Sequence, residues 1–134
     1  MDNVAFSFDS YRFDKVLIDF QKLNTENINI QFEPSGIFYK DLSKFDLLIK
    51  FTATSGDKDI FVEIFSVGTF KFENAKELKD IPTFFYRNAI AIFFPYLRAY
   101  VSLVSNQANH TAFILPTLNL SNLETPLKAN TIIK

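Results

Sequence analysis

One histidine, His110, is the only side chain among the 134 residues with an ordinary pKa suited to proton transfer near neutral pH. It lies in the polar run Asn106 to His110, where a histidine reads as a solvated surface group. The chain has no cysteine, so acyl transfer would require Ser105 or Thr111 to meet that imidazole, and neither sits in a nucleophile motif. Asp57 and Asp59 flank Lys58 in a turn-like stretch, and carboxylates so placed are ordinarily just solvated. There is no metal-ligand spacing, no glycine-rich phosphate loop and no dinucleotide fingerprint. No catalytic residue, metal or cofactor is expected. What the sequence offers in quantity is aromatic apolar surface, with 17 Phe against 3 Gly and no Trp. Asn, Ile, Lys and Phe all have AT-rich codons, so base composition contributes to that count, but every ring must still be placed. The chemistry available is binding.

Charge narrows the partners. Lys plus Arg is 14 against 15 acidic residues, and a net charge of −1 gives no electrostatic reason to bind nucleic acid or an anionic membrane. The first fifteen residues carry an acid at position 2 and no continuous apolar core, unlike a signal peptide. The longest apolar run, Ala89 to Leu97, ends at Arg98, far short of the roughly 20 residues a membrane span needs. A cytoplasmic, soluble protein is expected, with residues 1–134 as one domain large enough for a core without disulfides.

Four strands precede a helix. Val4 to Phe20 alternates as a long strand with a bulge near Ser10 to Arg12, its parity kept across the middle, and residues 22–27 form a turn. Ile28, Ile30 and Phe32 alternate in a second strand, which Glu33 to Gly36 should break, because proline cannot donate to a ladder and glycine permits a bulge. Phe45, Leu47, Ile49, Phe51 and Ala53 mark the clearest strand, and Ser55 to Lys58 a hairpin loop. In Ile60 to Phe72 both parities are partly apolar: Ile60, Val62, Ile64, Phe70 and Phe72 on one side, Phe61, Phe65 and Val67 on the other with Glu63. Either another part of the chain or a partner must cover the second set. The order predicts an α+β fold, a four-stranded antiparallel meander followed by a long kinked helix and a short C-terminal segment. Pro126 limits any helix starting near Ser121 to a turn or two.

Ile81 to Gln107 is the helical segment. At about 100° per residue, Arg87, Arg98 and Ser105 fall on one line with Ser102 beside it, and nearly all the remaining circumference is apolar. Phe94 shares the polar line, where a lone subunit would leave it wet. The helix is thus either the centre of a compact monomer or buried between subunits. Pro95 calls for a kink near Phe94 or two helices meeting there.

Three stretches taken together resemble the SecB-type export chaperones: KFDLLIKFTATSGDKDIFVEIFSVGTFKF at 44–72, AIFFPYLRAYVSLVSNQ at 91–107, and FILPTLNLSNL at 113–123. The middle one is similar to the family's Phe-Pro-Tyr-x-Arg helix through Phe94, Pro95, Tyr96 and Arg98. The resemblance implies an ATP-independent holdase that keeps unfolded or precursor polypeptides competent for export and hands them to the motor SecA. It also implies a homotetramer, a dimer of dimers with helices sandwiched between two eight-stranded sheets and those four residues at the oligomer interface. Phe61 and Glu63 correspond to an acidic, apolar-edged SecA patch. Clients are then expected at sheet faces and at the loop after the helix, with Phe32, Phe65, Val67 and Phe113 as candidates. This chain departs from the family in its near-neutral charge and in the residues that follow the helix. The alternative is a dedicated SecB-like chaperone for one client, such as an antitoxin, without SecA coupling.

Overall fold

The computed structural model describes residues 5–23, 27–56, 59–107 and 120–134. Strands β1 (Phe6–Ile18), β2 (Ile28–Tyr39), β3 (Lys44–Ser55) and β4 (Asp59–Phe72) precede helix α1 (Phe85–Gln107), and a short helix α2 (Glu124–Ala129) leads into strand β5 (Thr131–Ile133). The α+β arrangement is the expected one, with two differences in topology. The sheet order is β1-β4-β3-β2-β5, so only β2, β3 and β4 form a meander, and β1 lies against β4 instead of β2. There Phe6 faces Phe72 and Phe8 faces Phe70, cross-strand aromatic pairs of the kind that fix strand partners. The second difference is β5, which pairs in parallel with Gly36 to Phe38 of β2.

The helix-facing parity of each strand builds the core. Phe45, Leu47, Ile49, Phe51 and Ala53 are buried in one cluster with Phe85, Ala89, Ile90, Phe93, Leu97 and Val101 of α1. Phe85 anchors the start of the helix, its ring 4.8 to 4.9 Å from those of Phe72, Phe6 and Phe45. Further along, Phe93 drops into the notch left by Gly68, where an added Cβ would stand 2.9 Å from the ring.

The predicted break at Pro34 does not occur: β2 runs from Ile28 to Tyr39 without a register shift. The reason is the direction of the missing donor. The N–H groups of Gly36 and Lys40 point to the outer edge, donating to the carbonyls of Asn130 at 3.2 Å and Lys134 at 3.1 Å. Pro34 has the same parity, so its absent N–H would have faced the edge and not β3. Gly36 makes no bulge either. Its missing side chain leaves room for Phe45 and Thr131, whose atoms lie 2.4 and 2.8 Å from an added Cβ.

Bulges do occur elsewhere. In β1 the register shifts once between Phe8 and Ser10 and again between Phe13 and Lys15. Two flips cancel, which is why the outer halves of β1 share a parity. In β4 the register shifts opposite Ala53 and Thr54, so that Phe61 is the extra residue.

Helix α1 is one continuous element with Pro95 inside it, not two helices. Pro95 and Ala91 are both exposed, so the carbonyl that loses its partner lies on the wet side, where water can satisfy it. Before α1, the Asp80 carboxylate accepts the backbone N–H groups of Lys76 and Glu77, each at 3.0 Å, which hold its pKa below the ordinary value. Pro126 falls in the first turn of α2, where its missing N–H costs nothing. The Arg87 guanidinium, 3.1 Å from the Glu124 carboxylate, ties α1 to α2. No helix among the described residues is long and apolar enough to cross a membrane.

Candidate functional site

Helix α1 lies along the sheet and leaves a flank on either side. On the β2 side Phe94 is 5% exposed, its ring T-shaped against Phe32 at 5.3 Å. Phe32 in turn meets Phe51 at 5.0 Å. This overturns the inference that an isolated subunit would leave Phe94 wet: the line shared with Arg98 faces β2, and the ring reaches back onto the sheet. Phe94, Pro95, Arg98, Ala99 and Ser102 line a groove of about 340 Å³ along this flank. Arg98 is half-buried and makes no ion pair among the described residues.

The β1 flank is an aromatic ladder. Tyr96 lies 5.3 Å from Phe8 and 4.7 Å from Tyr11, and Tyr100 stacks on Phe13 at 4.2 Å. Its outer members remain open, Tyr96 at 41% and Tyr11 at 46% exposure, with Ile92 and Leu103 also exposed on the helix. The motif Phe94, Pro95, Tyr96 and Arg98 is therefore split. Phe94 and Arg98 serve the groove, while Tyr96 serves the ladder.

The outer face of the sheet, away from α1, differs from the acidic patch that the resemblance implies. Phe61 is fully buried, because both residues of a bulge can point to one side and the extra position turns it into the core. It cannot meet a partner at the surface. Glu63 does lie on the outer face, but its carboxylate is 3.3 Å from Lys15 Nζ. Phe65 beside it is exposed and sits between two ammonium groups, Lys15 at 5.1 Å and Lys50 at 5.6 Å from the ring centroid. Asp46, a buried acid of the same face, accepts a hydrogen bond from the Thr69 hydroxyl at 2.8 Å. Val67 is 3% exposed, enclosed at a position opposite Arg12 on one side and Leu48 on the other. It offers a client almost no surface.

Of the candidate client residues, then, Phe32 lies against Phe94 of the groove wall, Phe65 is exposed on the outer face, Val67 is enclosed, and Phe113 lies outside the described residues. The same holds for His110, Thr111, Asp57, Lys58 and the side chain of Ser105. Among the described residues no group of three His, Cys, Asp or Glu could hold a metal ion. Of the four residues expected at an oligomer interface, Phe94, Pro95 and Arg98 line this groove and Tyr96 lies on the other flank. Phe32, expected as a client contact, lies against Phe94 of that line.

The family profile described as preprotein translocase subunit SecB matches residues 5–126. The chain belongs to the SecB family, whose chaperones are non-enzymatic. Among solved structures it is similar to the Mycobacterium tuberculosis SecB-like chaperone Rv1957 in complex with a ChAD peptide from the HigA1 antitoxin Rv1956. That match has a TM-score of 0.68 and 13% identity, and covers 84% of this chain and 90% of the other. A protein of unknown function from Streptococcus agalactiae matches with a TM-score of 0.47 and 11% identity, over 85% of this chain and 98% of the other. No curated protein sequence matches.

Proposed function

We propose that this chain is a cytoplasmic, ATP-independent holdase that takes extended apolar segments of non-native polypeptides into the groove on the Phe94 flank of α1. The observation that carries the reading is the groove itself, walled by Phe94 and Pro95 beside the half-buried Phe32. Burying apolar side chains there supplies affinity at about 25 cal/mol per Å² without any reacting group. The test is aggregation of an unrelated unfolded client, followed by light scattering with no nucleotide present. Suppression at or below equimolar ratios, with a client complex on gel filtration, is the expected result. Aggregation at the uninhibited rate, with no complex, overturns the proposal.

A dedicated client suits this chain better than a SecA hand-off. The implied patch has lost Phe61 to the core, and Glu63 is neutralised by Lys15. The Rv1957 structure, with its antitoxin peptide, is a precedent for a SecB-like protein holding one defined segment. A pull-down dominated by one partner, with no binding to purified SecA, is expected. Micromolar SecA binding that Glu63→Lys abolishes would reverse the choice. Assembly into a homo-oligomer, a dimer of dimers on the family pattern, fits the open β1 flank, where a second copy would cover Ile92, Tyr96 and Leu103.

A further inference from the structure

Tyr86, in the first turn of α1, is 2% exposed, its ring packed against Phe45 and Phe85 at 6.0 and 5.7 Å. Among the described residues its hydroxyl has no hydrogen-bond partner, although a buried tyrosine ordinarily finds one. No side-chain oxygen or nitrogen among those residues is sealed from solvent without a partner, so the hydroxyl is the tip by which Tyr86 reaches the surface. It does so at a cleft of about 540 Å³ lined by Leu78, Lys79, Ile81, Thr83, Tyr86 and Lys128. Burial pushes the phenol pKa above its ordinary value. The group stays protonated at neutral pH and is a donor to whatever enters.

The charges around the cleft are unevenly committed. Lys79 Nζ lies 3.1 Å from the Glu77 carboxylate, and the Asp80 carboxylate accepts the backbone N–H groups of Lys76 and Glu77. Lys128, its ammonium 5.9 Å from the Tyr86 ring centroid, makes no ion pair among the described residues. The first turn of α1 carries no acid, so the positive end of the helix adds to the same side. An uncommitted ammonium beside a phenol donor suits a single negative charge, because one carboxylate can accept from both. A doubly charged phosphate would face Glu77 and Asp80 with too few cations. Leu78 and Ile81 offer apolar wall to a hydrocarbon body, and the volume lies in the range of small-molecule sites. We propose that this cleft binds a small organic monocarboxylate with an apolar body, held by Lys128 and the Tyr86 hydroxyl. The site is separate from the Phe94 groove and stands whether or not the chain is a holdase.

The test is isothermal titration of the full chain with octanoate, octanol, octylamine and acetate. Octanoate should saturate a single site per subunit. Octanol should bind about tenfold more weakly, in line with the loss of a hydrogen bond to a charged group. Octylamine has the wrong charge and acetate no apolar body, so neither should bind measurably. Tyr86→Phe keeps the ring and deletes only the unpaired hydroxyl; it should weaken octanoate about tenfold and leave Tm unchanged. Lys128→Met should weaken it by a similar factor, and Lys128→Arg should keep most of the affinity. No binding of octanoate, equal binding of octylamine, or an octanoate affinity that survives both Tyr86→Phe and Lys128→Met overturns the site. A Tm lowered by Tyr86→Phe would mean that the hydroxyl is already partnered, and overturns it too. A peptide ending in Leu-Leu with a free carboxylate is the last arm: tighter binding than octanoate overturns the small acid as the occupant, and weaker binding supports it.

Discussion

The two flanks of α1 are built from the same kind of residue and end in different states. On the β2 side the ring of Phe94 is folded under the helix against Phe32. On the β1 side, two residues further on, Tyr96 lies against Phe8 and Tyr11 yet stays 41% exposed. The sheet accounts for the difference. The neighbouring strands β2 and β3 present Phe32 and Phe51 as a ring pair beneath Phe94, whereas β1 is displaced by two bulges whose extra residues are Asp9 and Asp14. These acids pair with Lys71 at 3.5 Å and Arg12 at 2.8 Å, which keeps the edge charged and guards it against indiscriminate strand pairing. Aromatic abundance alone thus does not mark a binding surface. What matters is whether the backbone edge beside the rings is open or guarded.

The largest effect should come from Phe94→Ala. Removing a buried ring that meets Phe32 is expected to destabilise the fold by about 3 kcal/mol in urea unfolding, and client binding should fall with it because the groove loses its wall. A cost below about 1 kcal/mol, the level of an exposed site, would mean that the β2 flank is as loose as the other. Gly36→Ala should follow at about 1–3 kcal/mol, the usual range for forcing volume into a packed site. Its Cβ would meet Phe45 and Thr131, so β5 should loosen first. Faster hydrogen exchange at Thr131 to Ile133 would report this, and unchanged exchange there would argue against the close approach of the two strands.

Tyr96→Ala tests the other flank. Two ring contacts on a half-open side chain are worth about 1 kcal/mol to the subunit, so unfolding of the dissociated chain should move little. The solution mass by light scattering should drop, because the ladder is where a second copy would sit. Unchanged mass would remove the β1 flank from the assembly.

Much of this contrast could be read from the chain. The strict alternation from Phe45 to Ala53 defined the core face of β3, and the apolar circumference of 81–107 defined a helix that a single sheet face could not fully cover. What escaped was set by hydrogen-bond direction and register. Nothing in the residue pattern says that the absent donor of Pro34 faces an edge, or that a bulge opposite Ala53 turns Phe61 into the core. Thr131 to Ile133 is too short to announce itself as a strand, although its β-branched residues suit one. The helical wheel placed Phe94 correctly beside Arg98. It could not tell that this line looks onto β2, since the rotation of a helix over a sheet depends on long-range packing.

The smallest expected effect concerns the outer face, where the same distinction between open and guarded surface applies. Lys15 and Glu63 are 48% and 21% exposed at their side chains, so the pair is screened, and Glu63→Gln should cost no more than about 0.5 kcal/mol. That cost should vanish in 1 M salt, where the Debye length is about 3 Å. Lys15→Met is the more telling change. It leaves the Glu63 carboxylate without its cation and strips Phe65 of one of its two ammonium neighbours, producing the acid beside an aromatic that a SecA patch would require. If SecA binds Lys15→Met and not the unaltered chain, one lysine suffices to guard the surface. If it binds neither, the loss of Phe61 to the core is the stronger bar, because restoring a charge does not restore the apolar residue beside it.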